Sequence, residues 1–250
     1  KVLTTLAILS MARKNGKTAL IAAILLVFLV GPEAKRNSQI VSGAMSKDQA
    51  ALVFALACKM VQLSPKLAKV VKIVPSGKRL YGLPLNVEYR ALAADATTGQ
   101  GLSPRLAILD EVGQVRGPKS DFVEAIVTAQ GAYDDALLIA ISTQAPNDGD
   151  LLSIWIDDAL AGHDPGRVCH LYAAPDACEL DDRKAWKASN PALGKFRSEA
   201  DLAKLAAAAA RMPSAEAGFR NLNLNQRVEQ HAPLVTRSVW EENGGAVDAS

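Results

Sequence analysis

The segment at residues 6–30 constrains the fold most strongly, because it reads as a strand, a charged loop and a helix in that order. An apolar run at residues 6–9 precedes the loop, and a second apolar run at residues 19–30 follows it. A phosphate-binding loop needs consecutive backbone N–H groups, a helix N-terminus, a lysine and a hydroxyl group. Gly16, Lys17 and Thr18 end the loop in the usual form of that motif. This order predicts a P-loop.

The loop departs from the usual motif at one position. A full Walker A motif has a glycine five residues before the second glycine, and that position here is Met11. The flanking strand and helix still provide the required context, so we predict nucleotide binding. The alternative is an ordinary turn that carries two solvated lysines. The predicted nucleotide-binding residues of the loop are Arg13, Lys14, Asn15, Gly16, Lys17 and Thr18.

A second motif places two carboxylates after an apolar run. Residues 106–109 are apolar, and Asp110 and Glu111 follow them. Such a buried strand delivers its last side chains to the edge of a parallel sheet, where ligands bind. We predict that Asp110 and Thr18 hold Mg²⁺ and that Glu111 orients and deprotonates the attacking water. The alternative for an Asp-Glu pair is the ordinary start of a helix.

A third apolar strand, at residues 136–141, ends in three polar residues, Ser142, Thr143 and Gln144. In helicase-like P-loop ATPases a polar residue at this point contacts the γ-phosphate or the catalytic water. Any of the three fits that position, so all three are predicted to contribute to the nucleotide site. The alternative is a hydroxyl group that caps the end of a strand.

Composition limits the class of protein. A chain of 250 residues with 49% hydrophobic content can bury a core, and a net charge of +2 does not indicate a basic nucleic-acid coat. Three cysteines without a CxxC pair favour neither a disulfide framework nor a zinc site. The apolar run after the loop is shorter than the about 20 residues that span a bilayer. We predict a protein that is not secreted, and Lys1 in place of a start methionine predicts a fragment that lacks an upstream base-binding segment.

The order of segments predicts an α/β fold with a mainly parallel sheet flanked by helices. Short β-branched runs between residues 70 and 92 predict an antiparallel insertion whose last strand returns to the main sheet. Later residues are rich in alanine and helical in pattern. We predict a P-loop ATPase core at residues 1–166, a helical lid subdomain at residues 167–243 and the start of a linker at residues 244–250.

With these three motifs, the chain resembles the ATPase domain of the large terminase subunit of tailed bacteriophages. The resemblance covers nearly the whole length, and it includes residues 93–96, 101–104, 185–186, 190–194 and 223–227. Such terminases lack the first Walker A glycine and carry basic residues in the loop, as Met11 and Arg13 do here. The resemblance implies a P-loop NTPase of the additional-strand, catalytic-glutamate type with a C-terminal helical lid.

The resemblance also implies a function. ATP and Mg²⁺ would be the cofactors, and hydrolysis would drive double-stranded viral DNA into a procapsid. The implied partners are DNA, the portal protein, the small terminase subunit and further copies in a homo-oligomeric ring, in the cytoplasm of an infected bacterium or one that carries a prophage. The family's nuclease domain has no counterpart in this sequence. The alternatives are a P-loop phosphotransferase, a helicase-like ATPase or a non-catalytic P-loop scaffold.

Members of that family also supply an arginine finger to a neighbouring subunit, often from a Leu-Arg-Gly stretch. Gln100 and Gly101 occupy that place here, which leaves the finger unassigned. The candidates in trans are Arg79, Arg90 and Arg105, and Arg13 is the candidate catalytic arginine within one chain. We therefore expect this fragment to be a monomer that binds ATP and hydrolyses it slowly.

Overall fold

A computed structural model describes residues 3–94 and 101–228 of the chain. The strands are β1 (Leu6–Ser10), β2 (Gln39–Ala44), β3 (Val71–Val74), β4 (Arg79–Gly82), β5 (Val87–Ala93), β6 (Pro104–Asp110), β7 (Leu137–Ser142) and β8 (Arg167–Leu171). The α-helices are α1 (Lys17–Val30), α2 (Lys47–Leu63), α3 (Pro65–Ala68), α4 (Asp121–Ala129), α5 (Leu151–Ala161), α6 (Arg183–Ser189), α7 (Glu199–Arg211) and α8 (Pro213–Leu224). Short 3₁₀ turns lie at Pro75–Gly77, Val112–Gln114 and Gln130–Ala132.

The strands form one eight-stranded sheet in the order β3-β4-β5-β2-β6-β7-β1-β8. From β5 to β8 all neighbours are parallel, whereas β3, β4 and β5 pair antiparallel at one edge. The predicted antiparallel insertion is therefore confirmed. The strand β7 lies between β1 and β6, which is the additional strand that we expected. The carboxyl ends of β1, β7 and β6 consequently meet at one edge of the sheet.

Both faces of the sheet are covered, which explains why the middle positions of its central strands are mostly apolar. On one face, Ile108 of β6 belongs to a buried cluster with Leu25 of α1 and Val53 of α2. On the other face, Leu109 belongs to a cluster with Ile126 of α4, and that cluster also includes residues of α5. These two layers fix β6 and hence the position of the carboxylates at its end. None of the helices in the described ranges is long and apolar enough to cross a membrane.

The last three helices form a third buried cluster, separate from the two on the sheet. Trp186 of α6 is 2% exposed and lies in this cluster with Leu202 of α7 and Phe219 of α8. We call residues 172–228 the helical segment. Residues 167–171, which we had assigned to the lid, pair with β1 as β8, so this strand belongs to the sheet. The predicted lid beyond residue 228 and the predicted linker at 244–250 lie outside the described residues.

Candidate nucleotide-binding site

The loop between β1 and α1 reaches its shape without a glycine at its start. The N–H group of Met11 donates to the carbonyl oxygen of Ser142 at 3.2 Å, which prolongs the pairing of β1 with β7. The residues of this loop with positive φ are Lys14 at 63° and Gly16 at 79°. A Cβ atom on Gly16 would also lie 3.0 Å from the ring of Phe196. The backbone angle therefore favours glycine at residue 16, whereas the exposed ring of Phe196 could move aside for a Cβ atom.

Lys17 is the first residue of α1 and is 7% exposed. Its Nζ donates to the carbonyl oxygens of Met11 at 2.7 Å and Ala12 at 3.1 Å. Burial lowers the pKa of Lys17, and the nearby carboxylates of Glu111 and Asp110 act in the opposite direction. The first turn of α1 contains no acidic residue, so its free N–H groups and the buried ammonium together favour an anion.

Asp110 is the last residue of β6 and is 5% exposed. Burial raises its pKa to about 6, and the adjacent charge of Glu111 adds to this rise, whereas Lys17 opposes it. A buried carboxylate with a raised pKa beside a second carboxylate is an arrangement that is frequent at functional sites. A bound cation would stabilise the ionised form of this residue.

Glu111 has a left-handed backbone, with φ 56° and ψ 41°. Its N–H group donates to the carbonyl oxygen of Ile141 at 2.8 Å, and its Oε2 accepts from Ser142 Oγ at 3.4 Å. The same hydroxyl accepts from the N–H group of Gly113 at 2.9 Å. A Cβ atom on Gly113 would lie 2.4 Å from the carbonyl oxygen of Thr143. The end of β7 thus holds the turn after β6 in a strained but defined shape.

These residues surround one cavity of about 450 Å³ at the carboxyl edge of the sheet. Two glutamines in its wall were not predicted as site residues, Gln49 of α2 and Gln114. The Nε2 group of Gln49 donates to Oε1 of Gln114 at 3.3 Å. Gln49 also takes part in the cap of α2, where its N–H group donates to Ser46 Oγ. The residues that line the cavity are Arg13, Lys14, Asn15, Gly16, Lys17, Thr18, Ala19, Gln49, Leu52, Leu56, Asp110, Glu111 and Gln114.

The three polar residues after β7 have different surroundings. Ser142 contacts Glu111 and so adjoins the cavity. Thr143 is 5% exposed and packs through its carbonyl oxygen beside Gly113. Gln144 faces the helical segment, where its Oε1 accepts from Arg227 Nε at 3.1 Å and its Nε2 donates to the carbonyl oxygen of Asn225. The structure therefore brings Ser142 to the predicted site and directs Gln144 away from it.

The candidate arginines also differ in their environments. Arg105 is 5% exposed at the amino end of β6, opposite to the cavity, and its guanidinium pairs with Asp135 at 3.0 Å. Because its guanidinium is buried and paired at this end of the strand, Arg105 is unsuited to act as a finger. Arg79 pairs with Glu88 at 3.2 Å in the antiparallel edge of the sheet. Arg13 is exposed and lines the nucleotide cavity, and Gln100, at the usual place of the finger, lies outside the described residues.

The additional strand, the Lys17 helix start and the paired carboxylates at the sheet edge are features of a P-loop NTPase fold of the additional-strand class. Residues 3–153 match the family described as "Terminase large subunit, ATPase domain". The large terminase subunit of Enterobacteria phage HK97 is 65% identical over 238 residues, which are 95% of this chain and 47% of that protein. The chain belongs to the terminase large subunit ATPase domain family, and it spans about half the length of the HK97 protein.

Solved structures agree with this assignment. The crystal structure of the HK97 large terminase matches with a TM-score of 0.88 and 65% identity, over 95% of this chain and 50% of that one. The ATPase domain of the Thermus phage P74-26 large terminase matches with a TM-score of 0.63 at 20% identity, over 89% of this chain and 88% of that one. A large terminase from a thermophilic bacteriophage, in complex with ADP, matches with a TM-score of 0.52 at 13% identity, over 68% and 40%. The last two show a shared fold.

Proposed function

We propose that the cavity at the carboxyl ends of β1 and β6 binds ATP and that Glu111 activates the water that attacks it. The observation that carries this proposal is the convergence of Lys17, Thr18, Asp110 and Glu111 on one cavity. Lys17 would exchange its bonds to the loop carbonyls for the β- and γ-phosphates. Ser142, through its bond to the carboxylate, would hold Glu111 toward the water.

The donor set in the cavity suits Mg²⁺. Magnesium is usually held by one or two protein oxygen ligands, with waters and substrate phosphates in its remaining positions. Thr18 and Asp110 offer a hydroxyl and a carboxylate on the same cavity wall. Within residues 3–94 and 101–228, no cluster of three His, Cys, Asp or Glu residues forms a larger metal site. When bound, the ion would neutralise charge on the phosphates.

We further propose that hydrolysis at this site drives double-stranded viral DNA into a procapsid. Membership of the terminase family supports this role, and it supports the portal protein, the small terminase subunit and other copies in a ring as partners. The helical segment would serve as the lid subdomain, since it has its own buried cluster and adjoins the nucleotide loop. The expected location is the cytoplasm of the bacterial host.

Two substitutions test the proposed site. Lys17→Ala should abolish binding of a fluorescent ATP analogue, because it removes the buried cation at the start of α1. Glu111→Gln should retain binding and reduce phosphate release by about 10²-fold or more, because the amide cannot accept a proton. Glu124→Gln on the exposed face of α4 is the matched control and should match the wild type. Unchanged ATP affinity in folded Lys17→Ala would contradict the assignment.

A further inference from the structure

After Met11, which pairs with β7, the next two residues of the loop are held by the helical segment. The N–H group of Ala12 donates to the carbonyl oxygen of Ser189 at 3.3 Å, and that of Arg13 donates to the carbonyl oxygen of Leu222 at 2.9 Å. Two N–H groups of the loop are therefore committed to α6 and α8. The N–H groups of the second half of the loop, which ends in Lys17, remain available to bind the phosphates.

The side chain of Asn15 links the loop to the helical segment. Its side chain is buried, and its Nδ2 donates to the carbonyl oxygens of Ala12 and Arg13 at 3.1 Å each. The same Nδ2 group donates to Asn190 Oδ1 at 2.8 Å, and Asn15 Oδ1 accepts from the N–H group of Ala192 at 3.1 Å. One amide thus bridges the inside of the loop and the connection after α6.

Asn190 is itself fixed. It is 1% exposed, and its Nδ2 donates to the carbonyl oxygens of Trp186 at 3.1 Å and Asn223 at 2.8 Å. The oxygen that faces Asn15 is therefore held by α6 and by the last turn of α8. Such a buried acceptor cannot rotate away without leaving several polar groups unpaired.

The loop needs this external support because its own backbone is not relaxed. Lys14 adopts a left-handed conformation that is unfavourable for a residue with a Cβ atom. Its side chain is exposed and reaches Asp201 of α7 at 3.3 Å, a weak surface pair. The buried bonds through Asn15 are then the contacts best able to hold the loop in the shape that accepts a phosphate.

We propose that Asn190 is a positioning residue for nucleotide binding, acting through Asn15, so that ATP affinity depends on the docking of the helical segment against the loop. This inference rests on the proposed ATP binding. Linkage then requires the reverse effect: a nucleotide that binds the ordered loop must also hold the segment in place.

A double-mutant cycle tests the coupling. Asn15→Ala and Asn190→Ala should each weaken binding of a fluorescent ATP analogue by about tenfold or more, because each removes the Asn15–Asn190 hydrogen bond together with the other buried hydrogen bonds of that side chain. The double variant should lose less affinity than the sum of the two single losses, because either change alone already removes the Asn15–Asn190 hydrogen bond. Leu202→Val is the control: it shrinks the core of the segment, leaves every loop contact in place and should lower the melting temperature without changing affinity.

Hydrogen exchange on the wild-type chain tests the coupling without a variant, so the result does not depend on whether a variant folds. ATP should slow exchange of the amides at residues 186–192 other than Pro191, which has no N–H group. Additive effects in the cycle, a Leu202→Val affinity loss as large as that of Asn190→Ala, or no protection on ATP binding would each overturn the inference and leave the proposed function standing. Absence of ATP binding by the wild-type chain would overturn both.

Discussion

Replacement of Asp110 by Asn should stabilise the nucleotide-free protein above pH 6. Asp110 is 5% exposed, and its pKa is about 6 in the folded chain against an ordinary value of 3.8. At 1.36 kcal/mol for each pKa unit, the ionised carboxylate lowers the free energy of unfolding by about 3 kcal/mol at neutral pH. The attraction to Lys17 is already contained in that pKa. Asn removes the buried charge and keeps the shape, so up to about 3 kcal/mol should be regained.

The sign of the effect sets its pH dependence. Between pH 3.8 and pH 6 the folded state binds more protons at Asp110 than the unfolded state does, so stability from this group falls as pH rises through that window. The gain from Asp110→Asn should therefore be full at pH 8 and nearly absent at pH 4. Urea unfolding of the two proteins at both pH values measures it.

Asp135→Asn is the opposite control. Hydrogen bonds from Lys35 and Arg105 lower the pKa of Asp135, so its ionised form stabilises the folded state above its ordinary pKa, and this contribution is lost as pH falls. The substitution should lower the free energy of unfolding at pH 8. If Asp110→Asn stabilised the protein equally at pH 4 and pH 8, burial of charge would not be the cause. If it destabilised the protein at pH 8, attraction to Lys17 would outweigh burial.

Three further outcomes are expected. Gly113→Ala should lower the free energy of unfolding by about 1–3 kcal/mol and slow hydrolysis, because the new methyl group meets the carbonyl oxygen of Thr143. The control Gly131→Ala has open space around its new methyl group, so unfolding and turnover assays should show no change in either quantity. Arg105→Met should lower the melting temperature, because it removes the pairing of a buried guanidinium with Asp135 and Glu33, and it should leave turnover per folded molecule unchanged. A loss of turnover in the folded protein would restore Arg105 as a finger. Specific ATPase activity should rise with protein concentration if a neighbouring subunit supplies the arginine, whereas constant activity of a monomer in light scattering would point to Arg13.

The central sheet could be predicted because its signals are local. An apolar run that ends at a turn predicts a strand wherever it lies in the sheet, and β1, β6 and β7 all appear as such runs. The place of β8 depends on pairing with β1 across the whole core, which no local pattern reveals. Helix α4 is absent from the predicted elements, although the sequence carries its signal in a Ser120 cap and acidic residues in the first turn.

The candidate site also contains residues that local motifs predict and residues that only the fold reveals. Lys17, Asp110 and Glu111 belong to short motifs in which spacing along the chain determines position in space, and the cavity contains all three. Asn190 is separated from Asn15 by 175 residues, and nothing in a run of neighbouring letters connects them. In the sequence, Asn190 belongs to residues 190–194, which carry part of the family resemblance, but no contact could be assigned to its side chain. The fold was needed to show that the side chain of Asn190 contacts Asn15 in the loop between β1 and α1.

The loop has Met11 where a full Walker A motif has a glycine, and this departure can be explained by the contacts of the loop with β7 and with the helical segment. Met11 keeps an extended pairing with β7 through its N–H group, so the chain does not turn at this point and no glycine is required. The chain turns later, at Lys14 and Gly16, where φ is positive. Before this turn, the N–H groups of Ala12 and Arg13 donate to the helical segment. A loop built in this way gives up part of its own internal support and depends on α6 and α8 for its shape. The proposed phosphate-binding geometry would then depend on the sheet and the helical segment together, so that nucleotide binding and the docking of the segment would be linked.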